Sequence, residues 1–515
     1  MDGFLSDKDI STLAVKGGLR KRALGAKSPL RLSQAQFGLL RRVLGTDEGA
    51  RKLIIAAMEM GTGKTLAALA ALCVLRANKE TDRRVKALFV VPKSTLYNAW
   101  RTQLRRFTVL SVDDVRVVTY PRMQRVFLST RQRGDTGEWV KIKSHPLLDS
   151  KKDLVVFDES HVLRNPKTIL SRAASLVSSS SDRVLCLTGT PVHNGPQDAS
   201  GQLRAMNSLS AFENPSELGH RAALREEAVK DFSEKFVYSA TLVDAGVTLL
   251  PKTCITTWVD HEFSEAMAWQ YNDSLSSVKG ASTEKQRNRL VEERVRHHML
   301  ILRQLCVEPA LFHKFGQAHF DQKVLEMVAR SPGPKLRKAL KCVRKLVFEG
   351  HQKIVIVSEF VSLLDVFRHM AVEHLGEECL AFDGRLGAAA RGKIIEQFLK
   401  TDKRILCLSL GAGAYGLNLT PGPTAMIIMD VWFNPAVHRQ VEARIHRFGQ
   451  TKPVVVHTLV TKGSVESAVF QTHDEKEKCA ANIISGTVDN DIRTNEARRI
   501  AETCEPVMAF YCEEE

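Results

Sequence analysis

The chain has 515 residues, enough for two or three domains with cores of their own, and its 74 Lys+Arg against 58 Asp+Glu give a formal net charge of +16. That balance favours a polyanionic partner and leaves the fold open, although a basic surface with no specific partner fits it too. No run of roughly 18 apolar residues occurs, so a membrane span is not supported, and Met1-Asp2-Gly3-Phe4 does not read as a secretory signal.

Residues 1–29 read as a basic, Gly-containing N-terminal arm. Its Arg20-Lys21-Arg22 is a nuclear address, a DNA-touching tail or simply solvated. Leu53 to Ala57 is an apolar run that predicts a buried strand. It passes through Met58-Glu59-Met60-Gly61-Thr62-Gly63-Lys64-Thr65 into Leu66 to Leu72, which predicts a helix. Strand, Gly-rich turn and helix make a phosphate cradle: Gly61, Thr62 and Gly63 supply backbone N–H groups, Lys64 a point charge and Thr65 a hydroxyl suited to Mg²⁺. Standing alone, the G-K-T could equally be a tight turn with a solvated lysine. Leu154 to Phe157 predicts a second buried strand with Asp158 and Glu159 emerging at its C-terminal end, the end where open α/β sheets bind ligands. Asp158 is placed to hold Mg²⁺ and Glu159 to polarise an attacking water. Arg183 to Thr188 is a third apolar strand, followed by Gly189-Thr190-Pro191.

Residues 30–235 alternate strand and helix patterns, as a parallel sheet requires. Residues 236–334 read as a helical region, with an unbroken Arg-, Gln-, Glu- and Leu-rich stretch from Glu284 to Leu305, and Ser331-Pro332-Gly333-Pro334 marks its end. Residues 335–485 form a second α/β segment, and 486–515 a tail. Near the end of that segment, Gln440 to Arg447 is expected to be helical, with Gln440, Arg444 and Arg447 on one face. Two arginines together suit the charge that develops on a transferring phosphoryl group. A surface helix with solvated arginines is the alternative. The ten cysteines include no C-x-x-C pair, so they read as reduced core thiols and no structural zinc is expected.

At this point the chain resembles the Swi/Snf-type superfamily-two, helicase-like DNA translocases over roughly residues 30 to 480. Gln36 is similar to the adenine-reading glutamine ahead of the phosphate loop. Val90-Val91-Pro92-Lys93-Ser94-Thr95-Leu96, with Asn98 and Trp100, looks like a motif that contacts a DNA strand. Asp158-Glu159-Ser160-His161 is a D-E-x-H box, and Leu187 to Asn194 is close to L-T-G-T-P-x-x-N. In the second half, Lys353 to Ser358 resembles the first strand of the second lobe. Phe382-Asp383-Gly384 with Arg391 and Phe398 keeps the D-G…R…F spacing, and Leu408 to Thr420 resembles a loop coupling nucleotide to DNA, with Ala414 in place of a usual glycine. Asp430-Val431-Trp432-Phe433-Asn434-Pro435-Ala436 followed by Arg444-Ile445-His446-Arg447-Phe448-Gly449-Gln450 is the most specific stretch. The extra residue between Trp432 and Asn434 leans toward the branch of repair and transcription-termination ATPases.

The resemblance implies an α/β fold: two RecA-like lobes with parallel sheets flanking an ATP cleft, plus a helical inter-lobe insertion. It implies a DNA-dependent ATPase that translocates on double-stranded DNA to remodel or displace protein–DNA complexes, with ATP and Mg²⁺ as cofactors. Glu159, Gln440, Arg444 and Arg447 would be catalytic. Gln36, Gly61 to Thr65, Gly416 and Asn418 would hold ATP, and Thr65 and Asp158 the metal. Lys93, Ser94, Thr188, Gly189, Thr190, Ser409, Trp432 and Asn434 would contact DNA or couple it to the nucleotide. Nucleosomes, RNA polymerase and repair proteins stay open as partners. The implied location is nuclear in a eukaryote, otherwise cytoplasmic or viral. An RNA- or DNA-unwinding helicase, a transcription-termination ATPase and a DNA-binding scaffold with a decayed motor remain alternatives.

Overall fold

The computed structural model describes residues 6–26, 28–44, 53–78, 85–92, 94–111, 114–133, 139–189, 202–203, 230, 232–283, 289–309, 311, 322–413 and 417–485. They form two compact units, one running to Thr248 and taking in the end of the last helix from Lys476, the other spanning Leu249 to Glu475.

The first unit is built on strands β1 (Leu53–Met58), β2 (Ala87–Val91), β3 (Val115–Thr119), β6 (Lys152–Asp158), β7 (Ser181–Thr188) and β8 (Val237–Ala240), with a small β4–β5 hairpin (Arg131–Arg133, Trp139–Lys141) beside it. The six strands lie in the order β3-β2-β6-β7-β1-β8 and every pairing is parallel. Such a sheet must bury both faces, which is why β1 is apolar throughout rather than alternating. Its side chains divide by parity. Ile54, Ala56 and Met58 join the core under helices Asp7–Lys16, Gln34–Leu44, Lys64–Ala77 and Ser94–Phe107. Leu53, Ile55 and Ala57 join the core under helices Tyr120–Thr130 and Ile169–Ser179.

The second unit repeats the plan with β9 (Lys252–Val259), β10 (Ile354–Ser358), β11 (Cys379–Phe382), β12 (Ile405–Ser409), β13 (Ala425–Ile428) and β14 (Val454–Thr461). Their order is β11-β12-β10-β13-β14-β9, again all parallel. Two parallel-sheet α/β lobes agree with the expected fold class. The stretch 236–334, expected to be helical and to lie between the lobes, instead opens with β8 of the first sheet and β9 of the second, so the helical matter that follows β9 lies within the second unit. The helical matter includes a pair, Glu265–Thr283 and Arg289–Val307, whose Tyr271, Leu275 and Leu302, with Phe263 just before them, share a core with Val431, Val460 and Val465.

The N-terminal segment is not a free arm. Ser6 caps the helix Asp7–Lys16 in a reciprocal pair with Asp9. Ile10 and Ala14 are fully buried in the first unit's core. The segment after it lies against the end of helix Ser94–Phe107, where Leu19 forms an isolated antiparallel bridge with Thr108. Gly17, just before it, packs against helix Lys64–Ala77 instead, where a Cβ would sit 1.7 Å from the Cys73 carbonyl oxygen.

Candidate functional site

The Gly-rich turn leaves β1 at its C-terminal end and enters helix Lys64–Ala77. Gly61 and Gly63 take φ values of 93° and 83°, in the left-handed region that favours glycine. A Cβ on Gly63 would lie 2.3 Å from Gln36 Nε2. Gln36 is buried, donates from Nε2 to the carbonyls of Thr62 and Gly63 at 3.3 Å each, and accepts from Ser33 N at 2.9 Å. Its amide therefore holds the turn in shape. Lys64 Nζ donates to Met58 O at 2.7 Å and Glu59 O at 3.2 Å, folding over the turn. Thr65 is the second residue of the helix, half-buried.

Asp158 ends β6, two strands away from β1. One carboxylate oxygen accepts from Trp100 Nε1 at 2.7 Å and the other from Glu159 N at 3.1 Å. Burial, and then the neighbouring Glu159, push Asp158 up to about 7, against the pull of Trp100 and Lys64. Two neighbouring, half-buried carboxylates would suit a small hard cation, which would offset their repulsion; Asp158 and the Thr65 hydroxyl are the residues that could hold it. Glu159 is, among the described residues, the one non-glycine at positive φ, at 49°. Such conformations are costly and cluster at functional sites.

His161 lies beneath Glu159. Its Nδ1 is 3.5 Å from Glu159 Oε2 and 3.4 Å from Thr188 Oγ1, at the end of β7. Burial pushes His161 down to about 3, so the ring is neutral near pH 7. Thr188 is fully buried. A Cβ on the next residue, Gly189, would lie 3.8 Å from Lys64 Nζ. The ends of β1, β6 and β7 thus bring Lys64, Asp158, Glu159, Thr188 and Gly189 to one edge of one sheet. The sequence reading gave roles to neither Trp100's indole N–H nor His161. The D-E-x-H pattern pointed to the histidine, while the Trp100–Asp158 bond spans 58 residues and has no local signal. Lys93, Thr190 and the side chain of Ser94 lie outside the described residues.

In the second unit, the expected helix over 440–447 is shorter than predicted. The helix Pro435–Glu442 stops at Ala443, and the chain continues in tight turns through Gly449 at φ 96°. Gln450 holds those turns by donating from Nε2 to Ile445 O at 3.0 Å and Pro423 O at 2.9 Å. Gln440 is therefore a buried helical residue, while Arg444 and Arg447 project from a turn. Arg444 Nη1 donates to Leu417 O at 3.4 Å, and Leu419 N donates to Arg444 O at 3.3 Å, so the turn is stitched to the segment that carries Asn418. Asn418 closes a local turn by accepting from Thr420 Oγ1 at 2.9 Å. Gly416 lies outside the described residues. Burial lowers the pKa of Arg447.

Ser409 ends β12 and is buried. Asn434 caps helix Pro435–Glu442, its Oδ1 accepting from Ala436 N at 2.9 Å. Trp432 N donates to His438 Nε2 at 2.9 Å, and its ring lies 4.7 Å from the Arg303 guanidinium carbon. Arg303, from helix Arg289–Val307, is 2% exposed, pairs with Glu359 at 2.7 Å and Asp430 at 3.5 Å, and donates to Val431 O at 3.2 Å. Beside it Lys335 pairs with Glu466 and donates to Met429 O at 2.9 Å. This buried charge network fixes the backbone that presents Trp432 and Asn434.

Comparison with known proteins gives two domain matches, the first of which runs past the first unit into β9 and the helix pair of the second. Residues 39–311 match the SNF2-related domain and residues 338–449 the helicase conserved C-terminal domain. An "Uncharacterized ATP-dependent helicase" of Mycoplasma pneumoniae is 28% identical over 85% of this chain and 40% of its own length. A Drosophila melanogaster protein named as a SWI/SNF-related, matrix-associated, actin-dependent regulator of chromatin is 25% identical over 84% of this chain and 58% of its own. The DNA repair and recombination protein RAD54 of Saccharomyces cerevisiae is 24% identical over 93% of this chain and 58% of its own. The chain thus spans between two-fifths and three-fifths of the length of these relatives. With one domain match covering more than half of its residues and a second covering four of the six strands of the other sheet, the chain belongs to the SNF2-related, helicase-like family.

Proposed function

We propose that this chain is an ATP hydrolase that couples hydrolysis to movement along double-stranded DNA, displacing or remodelling proteins bound there. The observation that carries the reading is the convergence of the Gly61–Thr65 turn, Asp158, Glu159 and Thr188 at the C-terminal edge of one parallel sheet. Backbone N–H groups of the turn and Lys64 would hold the β- and γ-phosphates. Mg²⁺, held by Thr65 and Asp158, would neutralise phosphate charge. Glu159, kept in a strained backbone conformation with the neutral His161 ring 3.5 Å from its carboxylate, would accept a proton from the attacking water. Thr188, bonded to the same histidine, would report the state of that site to the loop after β7.

Arg444 and Arg447 of the second unit would reach the nucleotide when the lobes close. An arginine supplied in this way contributes about 10³ to 10⁵ in rate in other phosphoryl-transfer systems. DNA that favours closure would then favour hydrolysis, which is the coupling a translocase needs. The net charge of +16 and the repair and chromatin names among relatives favour a DNA track. The test is the rate of ATP hydrolysis with no nucleic acid, single-stranded DNA, double-stranded DNA, RNA and nucleosomes in parallel. Stimulation greatest with duplex DNA or nucleosomes is expected. Stimulation by RNA alone would replace the DNA track with an RNA one, and no hydrolysis under any condition would leave a scaffold.

A further inference from the structure

The described surface of the first unit carries a cationic patch that the nucleotide chemistry does not use. After Gly17 and Gly18 the chain is tied antiparallel to the end of helix Ser94–Phe107. Val109 N donates to Gly18 O at 2.8 Å, Arg20 N to Phe107 O at 2.7 Å, and Leu24 N to Arg106 O at 3.0 Å. Leu19 and Ala23 face inward and are buried, so the residues between them, Arg20-Lys21-Arg22, face outward. Arg20 Nε donates to Arg105 O at 3.3 Å, and Leu30 N donates to Lys21 O at 2.8 Å, which brings Arg31 alongside. Lys21, Arg22, Arg31, Arg105 and Arg106 are exposed.

No acidic residue occurs between Asp9 and Asp47, or between Asp82 and Asp113, the two stretches that build this surface. None of the six cations has a carboxylate within ion-pair distance among the described residues. The negative end of the helix accounts for Arg20, Arg105 and Arg106, since cations are favoured there. It does not account for Lys21, Arg22 and Arg31, which the docked segment adds to charges already present. Crowding like charges costs stability unless a polyanion offsets them.

We infer that this docked segment and helix end form a binding surface for the phosphate backbone of duplex DNA, additional to the motor's own track. This rests on the DNA-dependent reading above. Unlike a flexible basic tail, the surface is rigid, because the close fit at Gly17 and the main-chain bonds hold it in place. A duplex is the committed partner because regularly spaced phosphates suit a fixed array of cations, and such phosphate recognition carries no base preference.

The test uses the full chain with two variants, R20Q/K21Q/R22Q and R105Q/R106Q, and measures affinity for a blunt duplex of mixed sequence across salt concentrations, without nucleotide. Every phosphate that a variant no longer neutralises lowers the slope of log K against log salt by about 0.9, so the triple variant is expected to reduce the slope by roughly two to three and the double variant by roughly one to two. Thermal melting checks that both remain folded, and the helix-end variant reads the surface even if the triple variant undocks its segment. Wild-type affinity and slope in both variants would overturn the proposal. So would loss of binding to polyglutamate with duplex binding unchanged, which would assign the surface to an acidic protein. A wild-type chain with no duplex affinity at all would sink the DNA-dependent reading together with this one.

Discussion

Trp100→Phe isolates one bond that reaches the nucleotide site from a neighbouring helix. The substitution keeps an aromatic ring against Phe89, whose centroid lies 4.9 Å from that of Trp100, and removes the N–H that Asp158 accepts at 2.7 Å. A hydrogen bond to a charged group contributes about 1.5–3 kcal/mol. If that loss passes into proton affinity at about 1.36 kcal/mol per unit, Asp158 rises by about one to two units from its value of about 7. The sign follows from the acid: a higher pKa means more of the protonated form at a given pH. Near neutral pH fewer molecules would then carry the ionised carboxylate that can hold a cation, and at alkaline pH the difference would close. The assay is the Mg²⁺ dependence of ATP hydrolysis, and of fluorescent nucleotide binding, at pH 7.5 and 9.5. Apparent Mg²⁺ affinity should be weakened at pH 7.5 and largely restored at 9.5. A deficit of equal size at both pH values would mean that Trp100 acts through packing, and no deficit would mean that the bond does not tune Asp158.

Further outcomes follow from the same geometry. Glu159→Gln should keep nucleotide and DNA affinity while lowering kcat at least about 100-fold, since an amide cannot take a proton from water; rapid-quench turnover checks it, and a wild-type rate would remove Glu159 from its role. Arg447→Ala should lower DNA-stimulated kcat with little change in KM for ATP, and Arg447→Lys should rescue poorly, because an ammonium cannot reproduce the planar fork; a raised KM at unchanged kcat would make Arg447 a binding residue only. Arg303→Met leaves Glu359 and Asp430 without their buried partner, a loss of about 3–5 kcal/mol in comparable cases. Denaturant unfolding should show the loss, and unchanged stability would show that the network does not hold the Trp432 segment.

The central strands of the parallel sheets were legible because they are apolar on both faces and end in chemically distinctive residues, whereas the edge strands β8 and β9, short or largely exposed, carry no such run and were read as part of a helical stretch. The Gly61–Thr65 turn, the Asp158-Glu159 pair and the strand into Thr188 each announce themselves within about ten residues. Pairings between distant segments were not legible. Nothing local ties Trp100 to Asp158 or Arg303 to Asp430 and Trp432, for these partners meet only once the sheets have formed. The helix expected over 440–447 failed for a related reason: Gln450 bonds back to Ile445 and Pro423, so tertiary bonds draw the chain into turns where local pattern favoured a helix. The N-terminal segment was read as an arm because its charge is visible in sequence, whereas the fit of Gly17 against the Cys73 carbonyl is not.

The most direct test of the central claim is displacement of the third strand from a triplex on duplex DNA, run with ATP, with a non-hydrolysable analogue and with Glu159→Gln. Movement along the duplex predicts release of the third strand by the wild-type chain with ATP alone, while a plain blunt duplex stays paired. Release without hydrolysis, or ATP-dependent separation of the plain duplex with the third strand left bound, would contradict the account.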